Sequence, residues 1–182
     1  MLRLLLVLLT LMIVAQTLTV HKLFLWDRRL IIQGEIWRIV TGNFTHTNFA
    51  HLLMNTSAFI IFYLMFKEYL SASLTLTLLF IISVLVGLSI VITDIDYYSG
   101  LSGVIHGLFA WGAIRDIQAN RRVGYWLLIG IIAKVCWEQL FGASESTVQL
   151  IDARVVIEAH LAGLVSGIAF TLFERVYRRI RG

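Results

Sequence analysis

A chain of 182 residues that is 59% hydrophobic and only 14% charged lies far from a soluble domain, which runs near 45–50% apolar and about 25% charged. With a mean hydropathy of +0.85 and apolar runs of roughly 20 residues along its length, it reads as one polytopic, all-α membrane domain over residues 1–182. The net charge of +4 could suit nucleic acid, but the Lys and Arg residues sit at the ends of apolar runs, where they orient a chain in a lipid bilayer. A single cysteine, Cys136, excludes an internal disulfide and any multi-cysteine metal or redox motif.

Six spans follow in order. Leu2 to Val20 is the first; its Met1-Leu2-Arg3 start resembles a signal peptide, but the apolar stretch is long and lacks a small-residue cleavage site. His21 to Thr47 is a polar-aromatic segment with Trp26, Trp37 and Arg38. The later spans are Asn48 to Phe66, Leu70 to Ile92, Leu101 to Ile114, Val123 to Phe141 and Val155 to Phe173. With the spans alternating, nine basic residues (Arg3, Lys67, Arg115, Arg121, Arg122, Arg175, Arg178, Arg179 and Arg181) face five on the other side (Lys22, Arg28, Arg29, Arg38 and Arg154). The bias places both termini in the cytoplasm. The four basic residues of the long first loop run against it, and the expectation is that this loop is held by its own packing at the membrane interface.

The fourth span is short. Fourteen residues make about 21 Å of helix, roughly 9 Å less than the hydrocarbon core. Arg115 and Asp116 mark its inner end, so the deficit falls at the outer end, at Gly100-Leu101-Ser102-Gly103. A serine on a helix that starts below the surface needs protein or water to satisfy it, and a helix N-terminus favours negative charge developing nearby. The same small residues, with Gly103 and Gly107 four apart, serve equally as a helix–helix contact.

Polar side chains inside spans are costly and point to function by default. His160, in Glu158-Ala159-His160-Leu161-Ala162-Gly163, falls at about the depth of Ser102, and Gly163 and Gly167 clear one face of its helix for close approach. His51 and Asn55 share a face of the second span, again near its outer end, with His46 just before it. His106 lies one turn inward of Ser102. Each alone reads as an interhelical hydrogen bond; it is their common depth on three helices that points to a site. Two chemistries fit. His46, His51, His106 and His160 are a possible zinc set, although no H-E-x-x-H occurs and no carboxylate lies among them within the membrane except the near-surface Glu158. The other is a two-residue nucleophile and base, Ser102 attacking and His160 carrying the proton, with His51 and Asn55 as uncharged oxyanion donors. A third, charged partner would be expensive to bury in lipid.

Trp37-Arg38, the H-x-x-x-x-H-x-x-x-N of His46, His51 and Asn55, the G-x-S-G of Gly100 to Gly103 and the A-H-x-x-G of Ala159 to Gly163 together resemble the rhomboid intramembrane serine proteases, across all six spans in order. The resemblance implies a six-helix rhomboid fold with a short, recessed fourth helix, a Ser102–His160 dyad, an oxyanion site from His51, Asn55 and the Ser102 backbone N–H, and a half-embedded first loop. Many rhomboids carry Tyr where His106 stands. The runs Leu101 to Phe109, Ala133 to Gly142 and Val156 to His160 are similar to the rhombosortase subfamily. That similarity implies bacterial inner-membrane enzymes cleaving exported proteins near a C-terminal Gly-Gly tail with a transmembrane stretch. His106 is expected to stack on or bond to His160 rather than to act as the base.

Lys134 and Glu138, one turn apart in the fifth span with Trp137 beside them, read first as a charge pair that spares each the roughly 2.5–3.5 kcal/mol of a lone charge at mid-membrane; the functional reading is a substrate cleft or gate. No metal or other cofactor is expected. The partners expected are the bilayer and membrane-anchored substrates with a C-terminal transmembrane tail, and not nucleic acid. The competing readings are a non-catalytic rhomboid-like binder of transmembrane helices, a general rhomboid protease with other substrates, and a metal-dependent transporter or hydrolase.

Overall fold

The computed structural model describes residues 2–181; Met1, Gly182 and the side chains of Arg178 and Arg181, two of the basic residues counted above, lie outside the described residues. The protein is all-α. Among the described residues, four helices are long and apolar enough to cross a membrane: α5 (Phe49–Phe66), α6 (Ala72–Val91), α8 (Arg122–Phe141) and α10 (Ile157–Arg181). A fifth span arises if α1 (Leu2–Val14) and α2 (Leu18–Phe24) are taken together. The sixth expected span is α7 (Ser102–Gln118), whose 17 residues reach about 25 Å.

Two expectations need correction. The first span is not one straight helix through Val20, because α1 and α2 meet at 98°. Gln16 sits at the break: its amide, in the orientation that satisfies both partners, bonds the His46 backbone, accepting from N–H at 3.1 Å and donating to C=O at 2.9 Å. That pair holds the chain to the loop before α5. The fourth helix does not stop at Ile114. Asp116 is buried but accepts from the Tyr69 hydroxyl at 2.7 Å and pairs with Arg121 at 3.4 Å, while the Arg115 guanidinium lies over the Trp111 ring. Partnered in this way, the two charges stay within the helix.

Packing centres on α7, which touches α10, α8, α5 and α6. Glycines set its closest contact. A Cβ on Gly103 would meet the Ala159 carbonyl oxygen at 2.7 Å, and one on Gly107 the Gly163 oxygen at 2.5 Å; reciprocally, Gly163 and Gly167 abut the carbonyls of Gly103 and Gly107. Backbones this close leave no room for side chains, so α7 and α10 are locked in one register. Trp111, Leu108, Val104 and Ile82 are fully buried around that contact.

The segment between α2 and α5 folds against the Ser102 end of the bundle. It contains β1 (Trp26–Asp27), α3 (Arg28–Ile32), α4 (Arg38–Thr41) and a 3₁₀ turn at Gly42–Phe44. β1 pairs antiparallel with β2 (Tyr97–Tyr98), Trp26 opposite Tyr98. The segment consumes part of the anomalous charge of the first loop internally. Arg28 donates to the carbonyls of Val91 at 2.7 Å and Ile95 at 2.8 Å, and also to that of Thr93, which caps the open C-terminus of α6 with a cation. Buried Arg38 donates to the carbonyls of Lys22 and Leu25 and pairs with Glu35 at 2.7 Å.

Candidate active site

Ser102 opens α7, and three contacts hold the turn before it. The Tyr98 hydroxyl donates to the Gly100 carbonyl at 2.6 Å, the Gly100 N–H reaches the Gly42 carbonyl at 3.3 Å, and Trp26 Nε1 ties the same layer to the Gly87 carbonyl at 3.1 Å. Gly100 has φ +123°, and a Cβ there would strike the His51 ring at 2.7 Å, so both conformation and space require glycine.

The glycine-locked pair α7–α10 brings Ser102 and His160 together, with Oγ 2.9 Å from Nε2. The other ring nitrogen, Nδ1, lies 2.8 Å from Glu138 Oε2. Taking Glu138 as ionised, its carboxylate can only accept, so Nδ1 carries the imidazole proton and Nε2 turns a lone pair to the Ser102 hydroxyl. Glu138 Oε1 in turn accepts from Lys134 Nζ at 2.7 Å. Against the expectation of a serine–histidine pair with no charged neighbour, a carboxylate touches the far nitrogen of His160. Lys134, one turn before Glu138 on the same helix, supplies the counter-charge that lets a carboxylate stand at membrane depth. His160 is 4% exposed and Lys134 far more open.

His106 stacks on His160, ring centroids 4.2 Å apart and planes inclined by 19°. Its Nδ1 donates to the Ser102 carbonyl at 2.7 Å, so it is held against the backbone of the first turn and not at the hydroxyl. The ligand atoms of His106, Glu138 and His160 lie within 4.8 Å of one another. An imidazole binds a metal in its own plane, and two stacked rings have no shared plane in which one ion could sit between them. The four-histidine zinc set does not assemble either: among the described residues the ligand atoms that converge within 4.8 Å are those of His106, Glu138 and His160, without His46 or His51.

Asn55 is buried beside the serine, and its Nδ2 has no hydrogen-bond partner. A donor left unpaired in a buried site costs about 1–3 kcal/mol, which a developing oxyanion would relieve. The Ser102 N–H, in the first turn of α7, has no intrahelical acceptor. His51 differs from the expectation of a second side-chain donor. Thr47 Oγ1 donates to the Ile151 carbonyl at 2.7 Å, so its lone pair accepts from His51 Nδ1–H. In a neutral imidazole Nε2 is then an acceptor.

Two cavities meet at Ser102. One, about 540 Å³, is lined by Met54, Asn55 and Ala58 of α5 and by Lys134, Trp137 and Glu138 of α8, opposite walls of a lateral groove. The other, about 510 Å³, is lined by His21, Thr47, Asp94, Asp96, Tyr97 and Arg154, a more polar set at the loop end. His51, Ser102, Ile151 and Val155 border both. Over the site runs the link from α8 to α10, with the short helix α9 (Glu145–Ile151) pinned by Asn48 Nδ2 to the Leu150 carbonyl at 3.0 Å and by Thr47 to Ile151. Sequence reasoning missed α9 and Thr47. The Ser144 N-cap, accepting from Thr147 N–H at 3.3 Å, was the one readable signal.

A membrane-embedded helical bundle with a serine and a histidine joined at the head of two glycine-packed helices is the frame in which the comparisons with known proteins fall. The Rhomboid domain family matches residues 33–176, from the end of α3 to within α10, and the chain belongs to that family. It is also similar to the Bacillus subtilis (strain 168) protein named "Putative rhomboid protease YdcA", 25% identical over 173 residues that cover 90% of this chain and 83% of that protein.

Proposed function

We propose that this rhomboid is an intramembrane serine endopeptidase. The observation that carries the proposal is the 2.9 Å contact of Ser102 Oγ with His160 Nε2, beside the unpartnered Asn55 amide. Ser102 Oγ attacks the carbonyl carbon of the scissile bond while its proton passes to His160 Nε2. The displaced π pair becomes an oxyanion held by Asn55 Nδ2 and the Ser102 N–H. Collapse breaks the C–N bond, the leaving amine takes the proton from His160, and an acyl group remains on Ser102. Water from the polar cavity then repeats the sequence, giving its proton to Nε2 and its oxygen to the acyl carbon. His51 adds a donor once its ring proton leaves Nδ1 and one is taken up at Nε2 by exchange with water, the Thr47 hydroxyl turning from Ile151 to donate to the freed Nδ1.

The lateral groove between α5 and α8 suits an extended segment unwound from a transmembrane helix, with Lys134 and Trp137 on its wall. Within the family, the rhombosortase resemblance of the runs Leu101 to Phe109, Ala133 to Gly142 and Val156 to His160 supports membrane-anchored exported proteins with a Gly-Gly-type C-terminal tail as substrates. The same reading puts the protein in a bacterial inner membrane, termini in the cytoplasm and site open to the periplasm. The alternative of a non-catalytic binder of transmembrane helices has no use for an unpaired amide next to a base-linked hydroxyl. Labelling by a fluorophosphonate decides between them: covalent modification at Ser102, lost in Ser102→Ala and His160→Ala and indifferent to chelator, is the expected result. A wild-type protein that stays unlabelled, or labels only with zinc present, refutes it.

A further inference from the structure

We infer that Glu138 is a positioning residue for His160, making the site a Ser–His–Glu relay whose carboxylate is counter-charged by Lys134; this rests on the serine-hydrolase reading above. Three contacts among four side chains carry it. His160 bridges Ser102 Oγ at 2.9 Å and Glu138 Oε2 at 2.8 Å, one partner on each ring nitrogen, while Glu138 Oε1 takes the Lys134 ammonium at 2.7 Å. The carboxylate is nearly buried and Lys134 reaches into the open groove, so the outer charge is hydrated while the inner one stays on the ring.

The arrangement does two things. It selects the tautomer with the proton on Nδ1, the only one whose Nε2 lone pair can take the Ser102 proton. It also sets a negative charge next to the imidazolium formed when that proton arrives; the proton stays on the ring and none moves to Glu138. Charge balances throughout. At rest Lys134 and Glu138 cancel and serine and histidine are neutral, and after attack the imidazolium and the oxyanion form a second opposite pair. A relay of this composition places no net charge in the low-dielectric site at either stage.

The geometry is not that of a mere salt bridge. A pair serving only to carry Lys134 and Glu138 into lipid needs no imidazole, and Glu138 has turned its second oxygen onto the one ring that touches the nucleophile. Stacked His106 and the Gln139 amide, which donates to the Ile157 carbonyl at 2.9 Å, hold ring and helix in the same relation. The other titratable or charged groups around His160 are His51 on α5, His106 on α7, Lys134 on α8 and Glu158 on its own helix.

The test is the rate of fluorophosphonate labelling of Ser102 against pH, in the full-length protein in detergent, for wild type, Glu138→Gln and Lys134→Met. Glu138→Gln keeps volume and hydrogen-bonding capacity but loses the charge. It is expected to label about 10²-fold or more slowly with unchanged elution and melting, and the acid limb of its profile should move to lower pH because less negative charge holds the imidazolium. Lys134→Met leaves the carboxylate uncompensated and should move the acid limb the opposite way with a smaller loss. Opposed displacements are not produced by loosened packing. Should Glu138→Gln fail to fold, Lys134→Met decides alone, a displaced limb supporting the relay and a coincident one overturning it. Labelling of folded Glu138→Gln within about threefold of wild type, with a coincident profile, removes Glu138 from the mechanism and leaves a Ser–His protease. An unlabelled wild type refutes the hydrolase reading and the relay with it.

Discussion

The helix pair α7–α10 and the single helix α8 hold their share of the site by opposite means. α7 and α10 meet glycine to carbonyl along two turns, so the positions of Ser102 and His160 follow from backbone contact that no rotamer can relax. α8 turns most of its surface outward, with Trp126, Ile129, Trp137, Leu140 and Phe141 exposed. It is anchored at one end by Gly124 against the Ala113 carbonyl, in the middle by Val135 packed near Ala110 and Leu164, and at the other end by Glu138 on His160. In the proposed mechanism, nucleophile and base sit on the rigid part and the orienting carboxylate on the part facing lipid. On the proposed reading, the groove wall that yields to substrate is the least buried of the four long helices, at the risk of detaching Glu138 when it moves.

Predictions that break or sharpen this contrast run from large effects to small. Ser102→Ala and His160→Ala are each expected to abolish labelling and cleavage with the protein still folded; substantial turnover by either ends the mechanism. Asn55→Ala, removing the unpartnered amide that shares a cavity with Ser102, should lower the cleavage rate by about 10²–10³-fold, and by more than His51→Ala does, because His51 must first change tautomer. Equal losses would put His51 in the donor state at rest. Gly163→Val forces a side chain into the Gly103 carbonyl and should destabilise the fold by roughly 1–3 kcal/mol as well as part serine from histidine. An equally large change at Gly130, where a Cβ meets nothing within 4 Å, is expected to leave melting unaltered, and a similar loss at both positions would deny α7–α10 its special standing. His106→Tyr keeps a ring over His160 and should retain partial activity in the same assay.

The smallest effect lies at the far end of the bundle. Bonding to Arg121 holds the Glu68 carboxyl below its usual range, so the contact contributes above the ordinary carboxylate range and is lost as pH falls through the depressed value. Glu68→Gln should melt slightly below wild type at neutral pH, with the gap closing in acid; a gap independent of pH would assign it to packing. Tyr69 beside it is pushed up to about 12 by burial first and the bond to Asp116 second, so it stays protonated throughout that range.

Much of this was legible in one dimension. The apolar runs placed α5, α6 and α8 to within two residues at either end, and the starts of α7 and α10 as closely, because hydrocarbon thickness sets length and every backbone group must bond within its own helix. The paired glycines four apart on two spans announced the α7–α10 contact, and membrane depth alone put Ser102 and His160 at the same level. Reading failed where a polar residue finds its partner far along the chain. Gln16, at the break in the first span, bonds His46, Asp116 survives inside a helix through Tyr69, and Thr47 reaches Ile151 across 104 positions. Glu138 was visible as half of an ion pair, yet nothing in the spacing of α8 says which way its second oxygen turns.

The amino-acid order by itself determined which segments lie in the membrane, which of them approach closely and which side chains have the chemistry of attack and proton transfer, since solvation and backbone bonding act locally. Only the tertiary structure decided which nitrogen faces the serine, which amide is left unpaired and that a carboxylate stands behind the imidazole. These depend on a few tenths of an ångström between helices that the chain joins only through long detours.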